Sequence, residues 1–147
     1  MDEASQQRVV TALNLQGDAQ FAAIRRLASA VEIHHFALNC NVNDSVLPLL
    51  ELVRNPGCDA GTALYLYWQC WPGFESSPVG LDVKAKFDFD SLREEIALKL
   101  DGCGFASSLI HFDPAASFSK TQLRRLQAEG FRHLDAVGHE RVERIWL

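Results

Sequence analysis

Two pairs of residues in this chain have side chains that could carry out covalent or acid–base chemistry. Cys58 lies at the predicted start of a helix, where the helix dipole and free N–H groups favour a thiolate, and His35 could serve as its base. His111 and Asp113 share one face if their segment is a strand, which is the arrangement of a general base and the carboxylate that orients it. These two pairs define an enzyme alternative for the protein.

Each of these residues also has a structural interpretation, which we favour. Cys58 fills space beneath a turn, His35 lies on an apolar helix stripe, and Asp59 caps a helix, a role whose loss costs about 1 kcal/mol. His34 and His35 point about 100° apart on a helix, so they do not readily share a metal. The sequence has no CxxC, CxxH, GxSxG, P-loop or GxGxxG motif. We therefore predict no catalytic residue, no metal and no cofactor.

A dense aromatic cluster beside acidic residues indicates a protein partner instead. The aromatic side chains around Trp68 cannot all face one core from a single helix, and exposed Trp and Tyr anchor interfaces, although core packing alone also accounts for them. Residues 74–118 hold eight acids against four bases, and an acidic surface steers a basic partner. The candidate partner-binding residues are Tyr65, Trp68, Trp71, Phe74, Glu75, Asp82, Asp88 and Asp90.

Net charge and hydropathy argue against two other classes of partner. The net charge is −5, whereas nucleic acids and anionic membranes are bound by basic surfaces. The acidic start MDEASQQRVV lacks the features of a signal peptide, and no apolar stretch approaches the ~20 residues that span a bilayer. We expect a cytoplasmic protein whose four cysteines are reduced thiols.

Apolar residues at steps of three and four predict helices throughout the first half of the chain. The predicted helices cover residues 5–15, 19–38, 46–54 and 60–71. The third, capped by Asp44 or Ser45, is apolar nearly all round and is expected to be central. Asp59 caps the fourth, in which the small Gly61 and Ala63 allow a neighbouring helix to approach closely.

The pattern changes period after residue 73. Residues 81–90 alternate between apolar and charged side chains, which predicts a half-buried strand. A helix over 92–101, a second strand over 105–112 and a helix from a Ser119–Gln122 capping box to 129 follow. The tail, 141–147, is predicted as a strand or a final helical turn.

These elements predict one compact domain of mostly α, α+β class. It would contain about six helices and a small antiparallel sheet of two or three strands. The helical half covers about 1–73 and the mixed half about 74–147.

The segment 35–72 resembles the bacterial DUF4274 family, a domain of unknown function. The resemblance rests on a set of spaced residues: His35-Phe36-Ala37, Asn41, Asp44, Pro56, Cys58-Asp59, Gly61-Thr62-Ala63-Leu64 and Trp68. No mechanism follows from the resemblance, because the family has no established catalytic residues.

Taken together, these features favour a protein-binding module of unknown specificity. One concrete form is an immunity-type protein that neutralises a basic bacterial toxin with acidic and aromatic residues. The alternatives are the small enzyme described above and a structural homo-oligomer, such as a homodimer, formed through the region of Trp68 and Trp71.

Overall fold

The fold is built from helices. The computed structural model describes residues 1–42, 44–71 and 83–147, with the backbone alone at 83–87. The elements within these ranges are α1 (Glu3–Asn14), α2 (Gly17–Arg25), α3 (Ala30–Asn39), α4 (Leu47–Arg54), α5 (Ala60–Gln69), α6 (Val83–Asp101), the 3-10 helix η1 (Pro114–Ser117) and α7 (Lys120–Ala128). The described ranges contain no strand, so the predicted antiparallel sheet and the α+β class are wrong.

The first predicted strand belongs to a helix. Residues 83–90 form the start of α6, while 81 and 82 lie outside the described ranges. Phe89, Leu92 and Ile96 are buried at steps of three and four, so the helical stripe of the predicted 92–101 helix begins earlier than its capping signal indicates. Burial of one helix face therefore determines the secondary structure of this segment, and the short alternation of apolar and charged residues does not.

The second predicted strand, 105–112, contains only isolated bridges, and the predicted tail strand, 141–147, contains none. Ser107 pairs with Asp59 in parallel, Ile110 pairs with Glu140 in parallel, and residue Phe112 pairs with Val137 in antiparallel orientation. Residues 141–147 form neither a strand nor a helical turn. A lone bridge is not a sheet, because strands need a continuous ladder and a covered face to be stable.

The predicted long helix over 19–38 is two helices. α2 ends at Arg25, and Ser29 caps α3 by accepting a hydrogen bond from the N–H of Glu32 at 3.2 Å. Glu32 is 1% exposed, and its carboxylate accepts from Arg8 of α1 at 2.7 Å and from the Ala28 N–H at 2.9 Å. The break therefore places a buried carboxylate where it ties α1 to α3.

α5, and not the α4 segment, is the central helix. Two apolar clusters meet on it, one containing Ala63 and Leu66 and the other centred on Leu64 and Trp68. α4 contributes buried residues to the first cluster, but its Leu47 is 52% exposed. The predicted helices at 5–15, 46–54, 60–71 and 119–129 are confirmed, with ends shifted by one or two residues.

No helix in the described ranges is long and apolar enough to cross a membrane. The prediction of one domain stays a prediction.

Candidate functional site

The carboxylate of Asp59 joins the start of α5 to a distant segment. Its Oδ1 caps α5 by accepting from the Gly61 N–H at 2.8 Å and also accepts from the Ile110 N–H at 3.2 Å. Its Oδ2 accepts from the Ser107 hydroxyl at 2.5 Å and from the Leu109 N–H at 2.7 Å. Asp59 is fully buried. The predicted N-cap is confirmed, and it also anchors residues 107–110.

Two glycines make room for that segment. A Cβ on Gly61 would overlap the carbonyl of Ile110, and so would a Cβ on Gly138, whose φ is +67°. The sequence predicts a close approach at Gly61, but the neighbour is an extended segment and not a helix. Glycine at both positions therefore lets the Ile110 peptide pack between α5 and the 137–140 turn.

A buried polar pair joins α3 to α5. His34 Nδ1 lies 2.9 Å from the hydroxyl of Thr62, and the edge of the His34 ring meets Tyr65 at 6.0 Å between centroids. Burial lowers the pKa of His34 to about 4, with a smaller contribution from His35. The imidazole is therefore neutral at physiological pH and serves as a hydrogen-bonded core residue.

We predict that protonation of His34 destabilises the fold in acid. The unfolded state takes up the proton near pH 6.5 and the folded state only near pH 4, so stability falls as the pH drops between these values. The shift corresponds to about 3 kcal/mol. Urea unfolding from pH 7 to 4.5 should show a shallower loss in His34→Gln than in the parent chain.

The matched control for this titration is His139→Gln, because His139 is exposed. His35 and His133 add acid sensitivity of the same sign, since burial lowers the pKa of both, and they remain in every variant. An unchanged pH slope in His34→Gln would contradict the assignment of the acid sensitivity to this histidine.

The Cys58 and His35 pair is closed to substrate. Cys58 is 1% exposed, burial raises the pKa of its thiol to about 12, and its Sγ contacts the carbonyl of Asp59 at 3.8 Å. His35 is also buried, and its Nδ1 has no hydrogen-bond partner within the described ranges. A nucleophilic cysteine needs access and a lowered pKa, and Cys58 has neither.

The His111 and Asp113 pair is not assembled either. His111 Nδ1 lies 3.3 Å from the carbonyl of Gly138, and the Asp113 carboxylate caps η1 by accepting from the Ala115 N–H at 3.0 Å. Each side chain therefore hydrogen-bonds to the backbone, and the Asp113 carboxylate does not orient the His111 imidazole. All four cysteines are free thiols.

Most of the described aromatic cluster faces inward. Trp68 is fully buried, its ring meets Trp71 and Phe118 at 5.5 Å between centroids, and its Nε1–H donates to the carbonyl of His133 at 2.8 Å. Tyr65 is half-buried against Phe112. Within the predicted set, Trp68 is thus unavailable to a partner.

Trp71 alone of the described tryptophans in this cluster reaches the surface. It is half-buried and lines a shallow groove of about 210 Å³ together with Phe118 and Leu126. Three further residues of the predicted set, Phe74, Glu75 and Asp82, lie outside the described residues.

The outer face of α6 carries an acidic stripe, which we define as Asp90, Glu94, Leu98 and Asp101. These positions follow one another at steps of four, four and three, so they share one helix face. All four are exposed, and Leu98 is 68% exposed. Asp101 pairs with Arg132 at 2.9 Å, whereas Asp90 and Glu94 form no ion pair with any side chain that the structure describes. Asp88 is half-buried on the same helix.

The basic residues between positions 88 and 101 turn inward. Arg93 Nε–H donates to the carbonyl of Tyr67 at 3.1 Å, and its guanidinium lies 4.3 Å from the centroid of the Tyr67 ring. Lys99 Nζ donates to the carbonyl of Val53 at 3.0 Å. Glu95 faces Arg54 at 3.0 Å. Because its cations bind backbone carbonyls, this part of α6 presents net negative charge to solvent.

Sequence reasoning identified Asp90 but missed Glu94 and Leu98. A signal was present, because apolar residues at 92, 96 and 100 of the predicted 92–101 helix recur at steps of four and leave position 98 on the opposite face. The alternation over 81–90 predicts a strand there, so the sequence does not show that Asp90 and Glu94 lie on one helix face.

A comparison with known families matches the part of the chain that contains the central helix α5. The model of DUF4274, a domain of unknown function, matches residues 28–74. The resemblance predicted from the sequence is thus confirmed for this segment, which contains α3, α4 and α5. Curated proteins and solved structures give no match to the chain. Within the matched segment, Asp59, Gly61 and Thr62 all serve contacts that hold the fold together.

Proposed function

We propose that this protein is a protein-binding module that docks a basic partner on the acidic stripe of α6. The observation that carries the proposal is the pairing of exposed acids with an exposed Leu98 on one helix face, while Arg93 and Lys99 point inward. An apolar anchor surrounded by charge is a common interface composition, and complementary charge speeds association with the correct partner.

The specific form that we propose is an immunity-type protein that neutralises a bacterial toxin. Toxins that act on nucleic acids need a basic surface to displace counterions from phosphates. An acidic helix face is complementary to such a surface. The matched family is a domain of unknown function, so this form rests on charge complementarity alone.

We predict that Asp90→Asn/Glu94→Gln weakens capture of the partner by about tenfold, because two exposed charge pairs contribute roughly 0.2–1 kcal/mol each. The measurement is affinity capture with the tagged chain from its native host at two salt concentrations, followed by titration of the captured protein. Binding by the parent chain should weaken with salt more steeply than binding by the variant.

The matched control is Glu3→Gln/Asp18→Asn, which removes the same two charges from exposed positions on α1 and α2. Leu98→Ser tests the apolar anchor separately. Equal capture by the parent chain and both double variants would contradict docking on the stripe. If neither the parent chain nor any variant captures a partner, the binding-module proposal is contradicted.

The toxin form has its own test. The captured partner, expressed alone, should arrest growth, and co-expression of the parent chain should relieve the arrest more fully than the Asp90→Asn/Glu94→Gln variant. If the captured partner does not arrest growth but still binds through the acidic stripe, the binding-module proposal stands and the toxin proposal is rejected.

A further inference from the structure

A sizeable cavity lies away from α6. It has a volume of about 590 Å³, which is within the range of small-molecule sites, and opens where the ends of α1 and α3 meet the starts of α2 and α4. Its apolar lining includes Leu13, Phe21 and Leu47, and Leu147 lies at its edge. None of its lining residues belongs to the acidic stripe.

Two of the amide side chains that line this cavity, Asn39 and Gln20, use their donors on the protein, whereas Gln16 is exposed at the start of α2. Asn39 Nδ2 donates to the carbonyls of His35 and Ile145, each at 2.9 Å. Gln20 Nε2 donates to the carbonyl of Ala12 at 3.1 Å. These contacts fix the orientation of both amides, so each carbonyl oxygen is the atom left for a ligand.

Among the described residues that line the cavity, the one charged side chain is a carboxylate. Asp44 Oδ1 accepts from Asn41 Nδ2 at 2.9 Å, which orients the group and leaves Oδ2 to accept from a ligand. The lining contains neither lysine nor arginine within the part of the chain that the structure describes. The cavity thus offers hydrogen-bond acceptors and one negative charge next to an apolar wall.

The two helix N-termini at the cavity favour an anionic ligand instead, because each helix N-terminus carries about half a positive charge. α4 loses much of that attraction, since the Leu47 N–H already donates to the Ser45 hydroxyl at 3.2 Å and Pro48 has no N–H. α2 carries Asp18 in its first turn. The full charge of Asp44 therefore outweighs these partial charges.

From this arrangement we infer that the cavity binds a primary alkylammonium compound. Its ammonium group would donate to Asp44 and to the Asn39 and Gln20 carbonyl oxygens, and its alkyl chain would lie along Leu13 and Phe21. The ammonium supplies three donors to these acceptors, and the apolar wall disfavours a fully hydrated metal cation.

A series of three probes with one chain length tests the inference. Hexan-1-amine, hexan-1-ol and hexanoate share the alkyl chain and differ in the head group, so comparison of their dissociation constants isolates the ammonium. Binding is measured by two-dimensional NMR titration of the full chain at pH 7. We expect the amine to bind most tightly and to shift the side-chain amide signals of Asn39 and Gln20.

Asp44→Asn should weaken amine binding by about two- to fivefold, because Asp44 is exposed and an exposed charge pair contributes roughly 0.2–1 kcal/mol. Asp44→Glu should restore part of the affinity, and Asp135→Asn, at an exposed acid outside the cavity lining, should leave it unchanged. Unfolding curves establish that each variant is folded before titration.

Three results would overturn the inference: hexanoate binding as well as the amine, equal amine affinity in Asp44→Asn, or no saturable amine binding at millimolar concentration. The test does not depend on the α6 proposal, since Asp90→Asn/Glu94→Gln should bind hexan-1-amine like the parent chain.

Discussion

Replacement of Asp59 by alanine should cost about 4–6 kcal/mol of unfolding free energy, because it leaves four donors, two of them on buried residues, without an acceptor, at roughly 1–3 kcal/mol for each buried one. The donors concerned are the N–H groups of Gly61, Leu109 and Ile110 and the hydroxyl of Ser107. A domain of this size is stable by roughly 5–15 kcal/mol, so the variant should be close to unfolding at 37 °C. Urea unfolding followed by circular dichroism measures the loss.

Graded variants keep this prediction testable if Asp59→Ala does not fold. Asp59→Asn retains one carbonyl oxygen and should lose less, and Ser107→Ala removes one of the four contacts and should cost about 1 kcal/mol. Asp2→Ala is the matched cap control, since exposed Asp2 caps α1 through a single bond from the Ser5 N–H at 2.8 Å. A loss at Asp59 no greater than that at Asp2 would contradict the anchoring role.

The cap at Asp59 also shows how far local sequence reasoning reaches. A carboxylate before a helix is visible in the sequence, and it predicts a loss of about 1 kcal/mol. The contacts to Ser107, Leu109 and Ile110 join residues about fifty positions apart, and no periodicity records them. The sequence therefore predicted the residue and its local role but underestimated its contribution.

The error at 81–90 has a different physical origin. Alternation over a short stretch fits a strand, but Phe89 also starts a helical row with Leu92 and Ile96, and burial of that row decides the outcome. The same row determines which acids face outward. The helices predicted at 5–15, 46–54 and 60–71 could be recognised by their apolar periodicity, whereas the acidic stripe required knowledge of where α6 begins.

Gly61→Ala should destabilise the fold by about 3–5 kcal/mol, although alanine is favoured over glycine in helices by up to about 1 kcal/mol. The added Cβ would overlap the Ile110 carbonyl oxygen and lie 2.8 Å from its carbon. α5 is buried on both sides and cannot retreat, so residues 107–110 must move away and lose their bonds to Asp59. The steric cost exceeds the gain in helix propensity.

The displaced segment gives this prediction a local readout. Hydrogen exchange at the Leu109 and Ile110 amides should accelerate in Gly61→Ala more than exchange within α3, because these two N–H groups lose their acceptor. Gly104→Ala is the control, since a Cβ there meets Lys99 at an ordinary 3.4 Å and the site is exposed. Equal unfolding free energies for the two variants would show that the Ile110 peptide does not pack against Gly61. A large loss confined to Gly61→Ala would establish close packing of this extended segment on α5 as a requirement of the fold, in the same family-matched helix that Asp59 caps.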